Sequence, residues 1–321
     1  MKTICNSRLP AARQLLSALF RFGFRPAEKH ARFLPLLALA GALLFSSCAK
    51  DGGAIRIGSK NFTENLILAE IYALALEHTG LKVERKFNLA SSVVHTALVS
   101  GEIDLYPEYT GTGLLSVLHL PLETQPQKVY AAVKDEYAKR FNIVWLDYAQ
   151  ANDGQGIAVT AKISDAFGIK TISDLQRNAG KIRFASQGEF DQREDALPLL
   201  SKVYGPFDWK STSVYSDALK AQVLLRDEAD AMPAYTTEGI LASGDFVLLE
   251  DDKLVWPPYN IAPVVRREIL DAHGEIAGAL NRISAKITTP VITALNAKVD
   301  IDKEEFEDAA KDFFETVQKN D

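Results

Sequence analysis

Aromatic and polar residues gather in five short runs of this sequence, each beside a stretch that reads as a strand. The first two are Gly58-Ser59-Lys60-Asn61-Phe62-Thr63-Glu64 and Tyr106-Pro107-Glu108-Tyr109-Thr110-Gly111-Thr112. Glu189-Phe190-Asp191-Gln192-Arg193, Pro233-Ala234-Tyr235-Thr236-Thr237-Glu238 and Trp256-Pro257-Pro258-Tyr259-Asn260 complete the set. The chemistry open to such residues is recognition. A tyrosine ring presents an electron-rich face that attracts a cation, each ring contributing about 0.5–2 kcal/mol. Lysine and arginine offer charge-assisted donors to a carboxylate, Arg193 as a planar fork and Lys60 as a point charge. Each residue also has a plainer reading. Tyrosines at loop junctions often bury the ring and wet the hydroxyl. Arg193 can pair with Glu189 four residues earlier, and Lys60 can be a solvated loop lysine.

Bond-making chemistry finds little support. Five histidines (His30, His78, His95, His119, His273) are scattered, and none shows metal-ligand spacing. Both cysteines, Cys5 and Cys48, lie near the N-terminus, so thiolate zinc sites and cysteine nucleophiles are excluded from the rest of the chain. No Walker loop, nucleophile elbow or dinucleotide fingerprint follows residue 50. No metal and no cofactor is expected, and nothing recruits an enzyme.

The runs must be held by the elements that flank them. Short alternating stretches near 55–57, 83–87, 103–106, 143–146, 157–160, 182–185, 229–234, 246–249 and 261–265 read as strands. Helices fit 62–78, 93–100, 126–140, 191–204, 217–226, 267–283, 289–298 and 302–318. Asn61 followed by Glu64 resembles a capping box at the first helix. Repeated strand–helix units imply mostly parallel α/β sheets, which bind ligands beyond the carboxyl ends of their strands.

Charge divides the chain in two. Of 321 residues, the first 50 hold eight Lys/Arg against one acid, a net of +7, and the remainder carries −13. An acidic body argues against nucleic acid as the partner. The basic start precedes an uncharged run, Phe33–Phe45, too short to span a bilayer as a helix, and then Ser46-Ser47-Cys48. This resembles a bacterial lipoprotein signal, which implies a signal peptide over 1–47, lipidation of Cys48, a tether over 48–53 and an extracytoplasmic location.

The five runs closely resemble, in register, the substrate-binding proteins of ABC importers for glycine betaine, choline and related quaternary ammonium osmoprotectants. The matching motifs are GSKNFTE, AL-x-x-GEID-LYPEYTGT, EF-x-x-R-x-D, D-A-x-x-AYTT-x-G and LEDDK-x-x-x-PPY-x-x-APVVR. The resemblance implies a type II periplasmic-binding-protein fold, with two α/β lobes joined by two crossover segments near Ala151–Ile157 and Leu254–Ile261. Lobe 1 would comprise 54–154 plus 258–321, and lobe 2 would comprise 155–257. It further implies an aromatic cage at Tyr109, Tyr235 and Tyr259, with Gln155 where a fourth tyrosine is usual. The ligand's polar end would meet Lys60, Thr112 and Arg193. A monomer delivering a quaternary or zwitterionic solute to a membrane permease is expected. A non-quaternary ligand or a sensor role on the same fold are the alternatives.

Overall fold

A computed structural model describes residues 53–192 and 196–320. Cys48, the expected signal and Arg193 therefore lie outside the described residues. No helix among those described is long and apolar enough to cross a membrane.

Two five-stranded sheets organise the chain. In the first, β1 (Ile55–Lys60), β2 (Val83–Leu89), β3 (Leu105–Tyr109), β4 (Ile143–Trp145) and β10 (Ile261–Arg266) take the order β2-β1-β3-β10-β4. The second holds β5 (Gln155–Thr160), β6 (Arg183–Ser186), β7 (Ser211–Val214), β8 (Ala231–Tyr235) and β9 (Phe246–Leu248) in the order β7-β6-β8-β5-β9. We call the first sheet with its helices lobe 1 and the second lobe 2.

The sheets are mixed where the sequence predicts mostly parallel ones. Four strands of each run one way, and the fifth, β10 or β5, is antiparallel to both neighbours. The cause is the crossovers. β5 and β10 are the first strands after the chain passes between lobes, so each enters its sheet from the edge where the other strands leave. The carboxyl ends of β1, β3 and β8 and the amino ends of β5 and β10 therefore share a rim, and the runs singled out above fall there.

Both faces of each sheet are covered, as parallel α/β strands require. Along β3 and β10 the pleat sends Leu105, Tyr109, Ile261 and Val265 into one core, and Tyr106, Ala262 and Val264 into the other. In lobe 2, Ile157, Val159 and Phe184 oppose Ala158, Ala185 and Met232 in the same manner.

Two expectations shift. β3 runs on through Pro107 to Tyr109, so Tyr109 ends a strand instead of sitting in a loop. The first helix, Thr63–His78, is capped at Phe62 without a side-chain bond, so Asn61 and Glu64 form no capping box.

Candidate ligand-binding site

The two rims border an open cavity of about 870 Å³. Phe62, Glu64 and Asn296 reach it from lobe 1, and Lys220, Tyr235, Thr237 and Glu238 from lobe 2, with Asp153 from the first crossover. Thr237 and Glu238 follow β8, and Lys220 projects from the helix Asp217–Leu225.

The crossovers are fastened to one another and to the rim. Asn152 and Asn260 form an antiparallel bridge. The Tyr259 backbone N–H donates to Asn152 Oδ1 at 2.5 Å, and Asp153 N–H donates to the Tyr259 carbonyl at 3.1 Å. Thr110 Oγ1 donates to the Pro258 carbonyl at 2.9 Å and accepts from Asn260 N–H at 3.0 Å. Gly111 then lets the Tyr259 ring lie against the backbone, since a Cβ there would stand 2.7 Å from the ring. Only a glycine permits that approach.

Electrostatically the floor of the cavity is acidic. Tyr109 Oη donates to Glu64 Oε1 at 2.9 Å, and Asn296 Nδ2 donates to Glu64 Oε2 at 3.0 Å. The same Nδ2 donates to the Thr237 carbonyl at 2.8 Å, and Thr237 Oγ1 donates to Asp153 Oδ1 at 2.8 Å. Burial, joined by the Glu64 charge, holds the Asp153 carboxyl well above its ordinary range, and burial raises Glu64 as well. Burial and the two nearby acids likewise push the Tyr109 hydroxyl up. Two carboxyls that are costly to ionise together favour a cation or a hydrogen-bond donor beside them.

A model of the substrate-binding domain of ABC-type glycine betaine transport systems matches residues 53–316. The chain belongs to this family. It is similar to a glycine-betaine-binding protein of Pseudomonas aeruginosa, 32% identical over 292 residues that cover 88% of this chain and 94% of the other. It is also 31% identical over 288 residues to an ergothioneine transport permease/ergothioneine binding protein of Helicobacter pylori, covering 89% of this chain but only 51% of that longer one. A solved glycine betaine/carnitine/choline ABC transporter structure superposes with a TM-score of 0.77 at 27% identity, covering 83% of this chain and all of the other.

For this substrate-binding domain the structure distributes the sequence-predicted residues as follows. Tyr235, 44% exposed, lines the cavity and faces Gln155 across the β5–β8 pair. Gln155 and Tyr235 also border, with Lys220, a small pocket of about 40 Å³. Tyr109 is buried and reaches the cavity through Glu64. Tyr259 is half-buried at the second crossover, and Thr112 ends the single turn Thr110–Thr112. Lys60 sits behind the site. It is buried and ion-paired with Glu108, with its ammonium 4.9 Å from the Tyr109 ring centroid. Glu108 in turn accepts from Tyr106 Oη at 2.7 Å.

Sequence reasoning missed Glu64, Lys220 and Asn296. Glu64 lay inside a run and read as a helix cap, whereas Asp153 stands beside Gln155, where the sequence already allows it a part in recognising a donor-bearing ligand. Lys220 and Asn296 sit in helices far along the chain, where a polar residue reads as a solvated face. Yet Lys220 is 3% exposed, with Nζ donating to Glu238 Oε1 at 2.6 Å.

Proposed function

We propose that this substrate-binding domain works outside the cytoplasm, holding a glycine betaine-, carnitine- or choline-type solute in the interlobe cavity and delivering it to an ABC permease. The observation that carries the reading is an acidic floor, Glu64 and Asp153, beside the Tyr235 and Phe62 rings in one cavity between two lobes. A quaternary ammonium has no N–H to give, so ring faces and nearby carboxylates are what attract it. Tyr109, Tyr235 and Tyr259 supply the rings, Lys60 backs Tyr109, and Gln155 stands where a fourth ring is usual. Thr112, Arg193 and the buried Lys220 serve the solute's carboxylate where it has one. No bond is made or broken, and a monomer anchored through Cys48 suffices. Lobe closure over the solute is a shift of population toward a closed state that both lobes contact.

Calorimetric titration with glycine betaine, choline, carnitine, proline betaine and a set of amino acids tests this. Saturable binding of at least one quaternary compound is expected. Binding of an amino acid with none of the quaternary compounds would overturn the ligand class.

A further inference from the structure

Tyr109 and Tyr235 hold the same place in the two lobes. Each is the last residue of a strand, two residues after a proline and one before a threonine. Each strand lies parallel to a neighbour, β1 or β6, whose arginine bonds the aspartate just ahead of it. Arg56 donates to Asp104, and Arg183 to Asp230, through the backbone N–H and the guanidinium alike. Yet Tyr235 is 44% exposed and lines the cavity, whereas Tyr109 is 3% exposed. Two neighbours crowd the Tyr109 ring. Lys60 sets its ammonium 4.9 Å from the ring centroid, and the Phe62 ring stands 6.0 Å away at a tilt of 32°. A ring that already holds a buried ammonium attracts a second cation less, because the two positive charges repel. Of these two neighbouring rings, Phe62 is the one that lines the cavity, 37% exposed, beside Glu64.

Phe62 is also a poor residue for its backbone position. Its carbonyl accepts the first bond of the helix Thr63–His78, and its extended backbone makes it the N-cap, with no side-chain bond to a helical N–H. Serine, threonine, aspartate or asparagine would satisfy one of those free N–H groups. Asn61 and Thr63, both capping types, flank the position and leave it to a phenylalanine whose ring borders the cavity. Helix stability does not account for that ring, and a place in the cavity wall does.

We propose that Phe62 is the ring through which lobe 1 touches the cationic head of the solute, with Tyr235 as its counterpart in lobe 2. This rests on reading the cavity as the solute site, and it moves that contact from Tyr109 to its neighbour. A phenylalanine face attracts a trimethylammonium through its quadrupole, and the Glu64 carboxyl beside it adds to the attraction when ionised.

The test is calorimetry on the whole chain with glycine betaine, choline and carnitine, each paired with the analogue in which carbon replaces the quaternary nitrogen. The ratio of the two affinities reads the ring's pull on charge apart from apolar contact and packing. For the quaternary compound that binds tightest, Phe62→Leu, which keeps apolar bulk, is expected to weaken binding about 2- to 30-fold. The carbon analogue should lose less, so the ratio falls, and Phe62→Tyr should restore it. Thermal melting checks folding. Should the leucine variant not fold, Phe62→Asn, which supplies the missing cap, carries the same expectation for the ratio. An unchanged ratio, or a loss that Phe62→Tyr does not recover, would overturn the contact while the quaternary reading stands. Failure of the wild-type chain to bind any quaternary compound would overturn that reading and the contact with it.

Discussion

The Tyr235 ring stands 44% exposed on the cavity wall, so its removal costs little packing and isolates its part in recognition. Tyr235→Ala is expected to weaken binding of a quaternary solute about 2- to 30-fold, one ring's worth, with the melting temperature of the free protein nearly unchanged. Unaltered affinity in calorimetry would remove Tyr235 from the site. The acidic floor gives a second expectation. Glu64 and Asp153 titrate above their ordinary range because burial, and for Asp153 the neighbouring charge, favour the protonated form. A cation in the cavity favours the ionised form, so the bound pKa values are lower than the free ones. Between the two, binding expels protons and affinity rises with pH, levelling off once the free carboxyls are already ionised. Calorimetry in buffers of different ionisation enthalpy should show net proton release, and net uptake would contradict it. At this scale the sequence was legible where residue type carries the message, as with Tyr235, which lines the cavity. Lys60, expected at the ligand's polar end, is instead buried at the end of β1 against Glu108, a contact that only the tertiary fold brings about. Asn296 carried no signal, since its role depends on two partners more than fifty residues away.

At the scale of elements, short, largely apolar runs marked the central strands, because both of their faces are buried. β7 escaped because all four of its residues are exposed and show no apolar period. β3 was cut short at Tyr106 because a proline ordinarily ends a strand. Here Pro107 faces Pro263 across the β3–β10 pair, a register that exchanges no N–H between them. The predicted helix over 267–283 divides into Arg267–Ala272 and Glu275–Ser284 around His273-Gly274, a break that the continuous apolar spacing concealed. The seat of Tyr259 gives the prediction at this scale. Gly111→Ala places a methyl 2.7 Å from the ring, and ring or backbone must move. A stability loss of about 1–3 kcal/mol and several-fold weaker binding are expected, read from chemical denaturation and calorimetry. A variant with wild-type affinity would show that the ring's seat does not matter to the site.

For the whole molecule, the decisive contact is where the lobes meet beside the cavity. Gly239, which follows β8 in lobe 2, lies so close to the helix Thr289–Asp300 that an added Cβ would stand 2.6 Å from the Ala297 backbone nitrogen. Backbone cannot yield as a flexible side chain can. Gly239→Ala is therefore expected to hold the lobes further apart, raising the radius of gyration in solution scattering and lowering ligand affinity through the smaller closed population. Equal scattering and equal affinity would show that the contact does not limit closure. Ligand at about 100 times its dissociation constant should raise the unfolding free energy by roughly 2.7 kcal/mol, if only the folded chain binds it.

The position of β10 has a consequence for the order in which the chain can become a protein. β10 lies between β3 and β4, and among the described residues β4 pairs with no other strand. Every strand of the second sheet precedes β10 in sequence. As the chain emerges from a ribosome or an export pore, lobe 2 can close on itself while β4 still waits, edge exposed, for a partner more than a hundred residues behind it. The first sheet is thus completed last although it begins first. Pulsed hydrogen exchange during refolding should find β5, β6 and β8 protected no later than β4.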